Sequence, residues 1–397
     1  MRRPPLLLLA LILSCGLYAA GPGPADRLSV LRESDQPGFE LADTARHFQF
    51  PQDHGPHPAF RNEWWYLTGH LRADDGELFG FELTFFRLGL APPVPAEPAT
   101  GTSAWRTRQL YAAHFAITDV GRGRFFSATR YARDALGLGR AQALPFAVQV
   151  ADWSLLQAPD SPAAGPVALH WQLQAADADY AVQLDLRADQ APVLNGEGGL
   201  SRKADAPGAA SYYYSIPHLQ ATGQLRRAGT ALPVSGVAWL DREWGSGSLG
   251  AQQAGWDWFA LDLSDGSSLM FYALRDQDGH RDVHSAGTFV DAAGHATALA
   301  NDDVDIQVLR HWDSPRGGSY PAQWKLTVRS LRLTLQLTPQ LADQELATQP
   351  RYWEGAVNAT GARGAASLSA QGYVELVGYA NSQASAIVPN ATAPPSH

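Results

Sequence analysis

An all-β fold made of two similar units in tandem is what this sequence predicts, and three observations predict it. Apolar and polar residues alternate with period two: Phe79, Phe81, Leu83 and Phe85 interleave with Gly80, Glu82, Thr84 and Phe86, Leu331 to Leu337 interleave with Arg332, Thr334 and Gln336, and Val182, Leu184 and Leu186 with Gln183 and Asp185. Such alternation puts one strand face on a core and the other in solvent. Helical periodicity sustained over about twelve residues is missing, with Leu341 to Ala347 the one stretch that could manage a turn or two. Asp-Gly pairs at 75–76, 265–266 and 278–279 separate apolar runs, a strong hairpin signal.

The tandem arrangement rests on a repeated pattern. Trp64-Trp65-Tyr66-Leu67, an Asp-Gly turn and the run Leu78 to Arg87 are matched by Trp256-Asp257-Trp258-Phe259, an Asp-Gly turn and Leu269 to Arg275. Many short strands with few helices mean a sandwich or a barrel, and a closed barrel of about eight strands leaves room for one small ligand.

At 397 residues the chain has the length of two ordinary domains. It is 45% hydrophobic with 12 Trp, and only 17% of residues are charged, against roughly 25% on average. That supplies ample core. A net charge of −9 without a basic block excludes nucleic acid as an expected partner. Lysine occurs only at 203 and 325, which we read as a base-composition effect.

The N-terminus has the form of an export signal: Arg2 and Arg3, an apolar run from Leu6 to Leu13, then Ser14, Cys15 and Gly16. The run is shorter than the roughly 20 residues a membrane span needs. Ile12-Leu13-Ser14-Cys15 is similar to a bacterial lipobox, which would make Cys15 a lipidated first residue. The alternative is a cysteine discarded with the leader, although Tyr18 makes a poor cleavage site before Ala20. Cys15 is the only cysteine, so disulfides are excluded. Two or more acyl chains would anchor the protein stably to a membrane.

Candidate site residues concentrate at 54–70, HGPHPAFRNEWWYLTGH. Trp64, Trp65 and Tyr66 beside ionisable groups suit a wall that is both oily and chargeable. Arg61 and Glu63 share a face of an extended segment, either as a substrate clamp or as an ion pair closing a barrel end. His54 and His57 are either acid–base groups or loop-ordering donors; Gly55, Pro56 and Pro58 forbid the helix that would make them metal ligands, and no metal or cofactor is expected. Asp257, between Trp256 and Trp258, would face a barrel interior as a protonated acid, or else solvent or the domain junction. Asp241 and Glu243 share a face and form either a carboxylate pair or, with Arg242, a network joining the two units. Tyr213, in the run Tyr212 to Tyr214, is a second aromatic wall or core. A dinucleotide-like glycine pattern at 245–250 lacks the βαβ context, and no nucleophile elbow is present.

Phe50 to Pro58, Phe60 to His70, Trp239-Leu240-Asp241-Arg242-Glu243-Trp244, Gly255 to Phe259, Tyr352-Trp353-Glu354-Gly355 and Gly372 to Leu376 together resemble the AttH and carotenoid 1,2-hydratase family of lipocalin-like proteins. The resemblance covers nearly all of the chain beyond the leader. It implies two tandem lipocalin-like antiparallel β-barrels: a leader at 1–15, a tether at 16–45, barrels at 46–247 and 248–380, and a tail at 381–397. Members are called secreted hydrolases or are linked with an ABC-type transport system, and one branch hydrates carotenoids. In that branch a carboxylate follows closely after Trp-Trp-Tyr; here Leu67-Thr68-Gly69 stands there, so its catalytic residues do not carry over. The expectation is an exported, periplasmic, outer-membrane-anchored protein that binds a lipid or isoprenoid inside a barrel and serves an ABC transporter permease. The alternative is a hydratase or hydrolase acting on such a molecule.

Overall fold

A computed structural model describes residues 37–93, 107–159, 168–247, 249–250, 252–348 and 351–380. Cys15 and its leader lie outside them, as does the tail beyond residue 380. No helix among the described residues is long and apolar enough to cross a membrane.

The first sheet contains β1 (Asn62–Ala73), β2 (Leu78–Gly89), β3 (Gln109–Asp119), β4 (Arg124–Arg133), β5 (Gly139–Gln142), β6 (Ala147–Val150), β7 (Trp153–Gln157), β8 (Leu169–Ala176), β9 (Tyr180–Ala188), β10 (Val193–Leu194), β11 (Leu200–Arg202), β12 (Ala210–Arg227) and β13 (Thr230–Gly245). The second contains β14 (Gln253–Leu263), β15 (Ser268–Asp276), β16 (Ala286–Val290), β17 (Ala296–Leu299), β18 (Val304–Asp313), β19 (Ser319–Val328), β20 (Leu333–Pro339), β21 (Glu345–Leu346), β22 (Tyr352–Arg363) and β23 (Ala366–Val377). The first runs β4-β3-β2-β1-β13-β12-β9-β8-β7-β6-β5 and curls until β4 meets β5 and β6, a nearly closed barrel. The second runs β17-β16-β15-β14-β23-β22-β20-β19-β18 and forms a half-barrel. The all-β expectation is met. The suggested turn of helix at Leu341 to Ala347 is not: that segment ends in the short strand β21, whose Glu345 pairs with Trp353.

The two hairpins read as a repeat are β1–β2 and β14–β15. Their turns need a left-handed residue, supplied by Gly76 (φ +93°) and Gly266 (φ +82°).

Both barrel interiors are filled. Trp65, Leu67, Phe81, Leu83, Phe115, Trp153 and Leu184 pack inside the first, and Phe259, Leu261, Trp324, Leu335, Trp353 and Val374 inside the second. This corrects the expectation of a ligand hollow inside a barrel. The space near the first mouth is taken by the chain before β1, where Phe48, Phe60 and the buried His54 pack against Tyr212, Tyr214, Trp244 and Trp171.

A third apolar cluster lies between the barrels. It joins Tyr66, Ala116, Tyr213 and Trp239 of the first sheet to Trp258, Met270, Tyr272, Tyr352, Ala356 and Tyr373 of the second. β1 is therefore buried on both faces: Trp65, Leu67 and Leu71 inward, Tyr66 and Thr68 against the second sheet. Polar bonds cross the seam as well. Tyr66 donates to Glu354 Oε1 at 2.6 Å, His70 Nε2 to the Gly372 carbonyl at 2.8 Å, and Thr118 to Gln344 Oε1 at 2.6 Å.

Candidate active site

The seam holds a cavity of ≈ 140 Å³, a size that accepts a benzene-like group. Register explains its walls. In the first sheet Trp64 stands opposite Phe86 on β2 and Glu243 on β13, Tyr66 opposite Thr84 and Asp241, and Tyr213 opposite Glu243. In the second, Trp256 stands opposite Leu274, and Trp258 opposite both Tyr272 and Glu375. Period two puts each set on one face, and the two outer faces meet. Lys203, from the loop after β11, and Tyr352 complete the lining. Trp64, Phe86, Trp256 and Glu375 keep partial exposure, while the other aromatic walls are buried.

The carboxyl groups differ in how they are held. Asp241 accepts hydrogen bonds from Ser215 Oγ at 2.6 Å, Trp239 Nε1 at 2.7 Å and the Tyr213 hydroxyl. Burial raises its pKa to about 7 against the pull of those donors. Glu375, which lines the cavity, accepts from Trp256 Nε1 at 2.8 Å on Oε2. Burial, with Glu243 and Asp241 nearby, pushes this carboxyl up to about 7 as well. Glu243 takes a bond from Ser211 and lies 3.4 Å from Lys203 Nζ. The ammonium rests 3.7 Å from the Tyr272 ring centroid. Burial opposes its charge, but Glu243 holds its pKa above the ordinary value.

Behind this wall, Glu354 sits opposite Glu375 on neighbouring strands. Glu82 approaches from the first sheet. Each keeps one buried oxygen without a partner, and burial drives both pKa values well above the usual carboxylate range. His114, whose Nδ1 is 2.7 Å from the Tyr352 hydroxyl, is lowered to about 4 by burial and is neutral.

Of the residues singled out from sequence, Trp64, Tyr66, Tyr213, Asp241, Glu243, Trp256 and Trp258 come together at the cavity. The others do not. Trp65 points into the first barrel, its indole donating to the His54 carbonyl at 2.9 Å. Glu63 is fully buried, but its partners are Arg87 and Arg242 rather than Arg61. Burial alone would raise its pKa; the two guanidinium groups hold it far below the usual carboxylate range. Arg242 thus works on the opposite face from Asp241 and Glu243 and does not join them into a network. Arg61 lies beside them, its backbone N–H donating to Ser246 Oγ at 3.2 Å. His57 stacks on Trp244 at 3.8 Å and contacts Asp53 Oδ1 at 3.0 Å. His54 Nδ1 is 2.6 Å from the Tyr214 hydroxyl, and burial followed by Arg242 lowers its pKa to about 3, so it stays neutral. The His-Pro stretch is a plug knitted to the barrel mouth. Asp257 faces the second barrel, bound to Arg275 Nε at 3.0 Å and to the Tyr379 hydroxyl at 2.9 Å.

Sequence reasoning passed over Glu375, Lys203, Tyr272 and Tyr352. A signal for Glu375 existed: in Gly372-Tyr373-Val374-Glu375-Leu376, Tyr and Glu alternate with apolar residues, so an acid and a phenol share a face.

A family model described as AttH-like matches residues 41–379. The chain belongs to the AttH-like family. A crystal structure from Nitrosomonas europaea, described as an AttH, superposes with a TM-score of 0.74 at 34% identity, covering 86% of this chain and 100% of that one. Kievitone hydratase from Nectria haematococca shares the fold, with a TM-score of 0.62 at 15% identity over 87% of this chain and 97% of that one. The dehydratase asqC of Emericella nidulans is 22% identical over 218 residues, 52% of this chain and 60% of that protein, so the match spans less than two thirds of that relative.

Proposed function

We propose that this protein is a hydro-lyase that adds water to, or removes it from, an apolar organic molecule held in the seam between its barrels. The observation that carries the reading is Glu375: a carboxyl lining an aromatic cavity, with one oxygen bonded to an indole and a pKa of about 7. A general acid works best when its pKa lies near the working pH, and water loss requires a proton delivered to the departing hydroxyl. Trp64, Trp258, Phe86 and Tyr272 supply apolar walls. Asp241, fixed by three donors, is an oriented carboxylate when ionised.

The functional names among the relatives, a dehydratase and a hydratase, favour this reading over service to a transport system. Export and anchoring through Cys15 remain part of the proposal; Cys15→Ala should move the protein from the membrane fraction to the soluble one, and unchanged retention would defeat that part.

The test is a panel of apolar alcohols and their dehydrated counterparts, followed by mass spectrometry for gain or loss of one water. Turnover by the wild type, abolished in Glu375→Gln, is the expected result. Turnover that survives in a folded Glu375→Gln variant would remove Glu375 as the acid.

A further inference from the structure

Lys203 is one of two lysines in a chain with 30 lysines and arginines together. The buried ion pairs of the plug and of Asp257 all use arginine. An arginine brings a wide planar fork, whereas an ammonium is a compact point charge with three donors. Lys203 is 6% exposed and lines the cavity. It has the Glu243 carboxylate at 3.4 Å on one side and the Tyr272 ring at 3.7 Å on another. The Glu243 carboxylate and the Tyr272 side chain take part of its donor capacity, and Lys203 is the only cation among the described residues that line the cavity.

A fixed positive charge repels a carbocation and stabilises an oxyanion. Water addition or loss through a cation is therefore disfavoured beside this group, and a route through an enolate is favoured. We infer that the substrate is a β-hydroxy carbonyl compound, or the matching α,β-unsaturated carbonyl, on an apolar scaffold, and that Lys203 holds its carbonyl oxygen. This rests on the hydro-lyase reading and narrows it.

In the dehydration direction the Glu243 carboxylate takes the proton from the carbon next to the carbonyl. The C–H electron pair forms a carbon–carbon double bond, and the carbonyl π pair moves to oxygen, giving an enolate paired with the Lys203 ammonium. The enolate then re-forms the carbonyl as its carbon–carbon π pair shifts to make the conjugated double bond. The carbon–oxygen bond to the β-hydroxyl breaks, and the Glu375 carboxyl protonates the departing oxygen. The products are the unsaturated carbonyl and water. Glu243 ends protonated and Glu375 ionised, and exchange with solvent restores both. Hydration is the reverse.

Two measurements test this together. The first compares an aryl β-hydroxy ketone with the same alcohol lacking the ketone. Wild-type protein should dehydrate only the ketone, and Lys203→Met should lower kcat/KM by about 100-fold. Equal turnover of the ketone-free alcohol, or full activity in Lys203→Met, overturns the inference while leaving the hydro-lyase reading in place. The second needs no turnover: the absorption band of the bound aryl enone should move to longer wavelength in the wild type as the ammonium draws charge onto the oxygen. The shift should vanish in Lys203→Met and in Lys203→Met/Glu243→Gln, which leaves no lone buried charge if the single variant fails to fold. A shift that persists in the folded double variant overturns the carbonyl contact. A shift lost as expected, with no dehydration of either alcohol, upholds the contact and defeats the hydro-lyase reading instead.

Discussion

The mouth of the first barrel and the seam between the barrels are both aromatic and rich in tryptophan, yet Glu63 at the one and the acids of the other are managed in opposite ways. At the mouth of the first barrel Glu63 meets two arginines and stays charged. In the seam, Asp241, Glu354 and Glu82 are buried and Glu375 is partly exposed, with Lys203 the single cation among the described residues lining the cavity, and the four carboxyls lean towards the neutral form. Burial is the same force in both places. What differs is the counter-charge. Where two guanidinium groups compensate, as at Glu63, the acid is a structural tie; where only hydroxyls and an indole reach it, as at Asp241, burial raises the pKa to about 7.

That contrast can be broken by mutation. Glu63→Gln leaves Arg87 and Arg242 buried without their shared anion, and about 3–5 kcal/mol of stability should be lost in denaturant unfolding. Trp65→Ala, inside the barrel, should cost a comparable 3–5 kcal/mol. Glu375→Gln should do the reverse: stability near that of the wild type, with turnover down by about 100-fold or more. If Glu375→Gln proved as destabilising as Glu63→Gln, the seam acids would be ties too, and the distinction would collapse.

The two regions should also answer pH with opposite signs. Asp241 and Glu375 ionise near 3.8 and 4.5 when unfolded and near 7 when folded. The folded chain therefore holds more protons across that window, and their contribution to stability is complete below about 4 and lost as pH rises through about 7. Glu63 is depressed on folding from its ordinary 4.5; its contribution is present above that value and lost as pH falls below it. Unfolding midpoints measured from pH 4.5 to 7 should fall less steeply in Glu375→Gln than in the wild type, and an unchanged slope would contradict the assignment. The smallest effect expected is that of Trp64→Ala. This half-exposed wall should cost little stability but about 1 kcal/mol of affinity for an aromatic ligand, measured by calorimetric titration.

Much of this was legible in the residues. Alternation along β1 separates Trp64 and Tyr66 from Trp65 and Leu67, and the same rule pairs Asp241 with Glu243. The Asp-Gly turns mark both hairpins. What misled was proximity in sequence: Arg61 lies two residues from Glu63, but the arginines that reach its carboxylate come from β2 and β13. The conspicuous His-Pro stretch packs as a plug because its histidines and prolines close a barrel mouth, a task its composition does not distinguish from catalysis.

Strand periodicity, turn chemistry and the doubled hairpin are local properties, written in consecutive side chains and readable without coordinates. The meeting of two outer sheet faces is not local: Tyr66 finds Glu354 across 288 residues of chain. A polar face that will meet water and one that will meet another sheet carry the same alternation. Whether an acid on such a face is solvated or sealed into an aromatic cavity depended on how the two barrels docked.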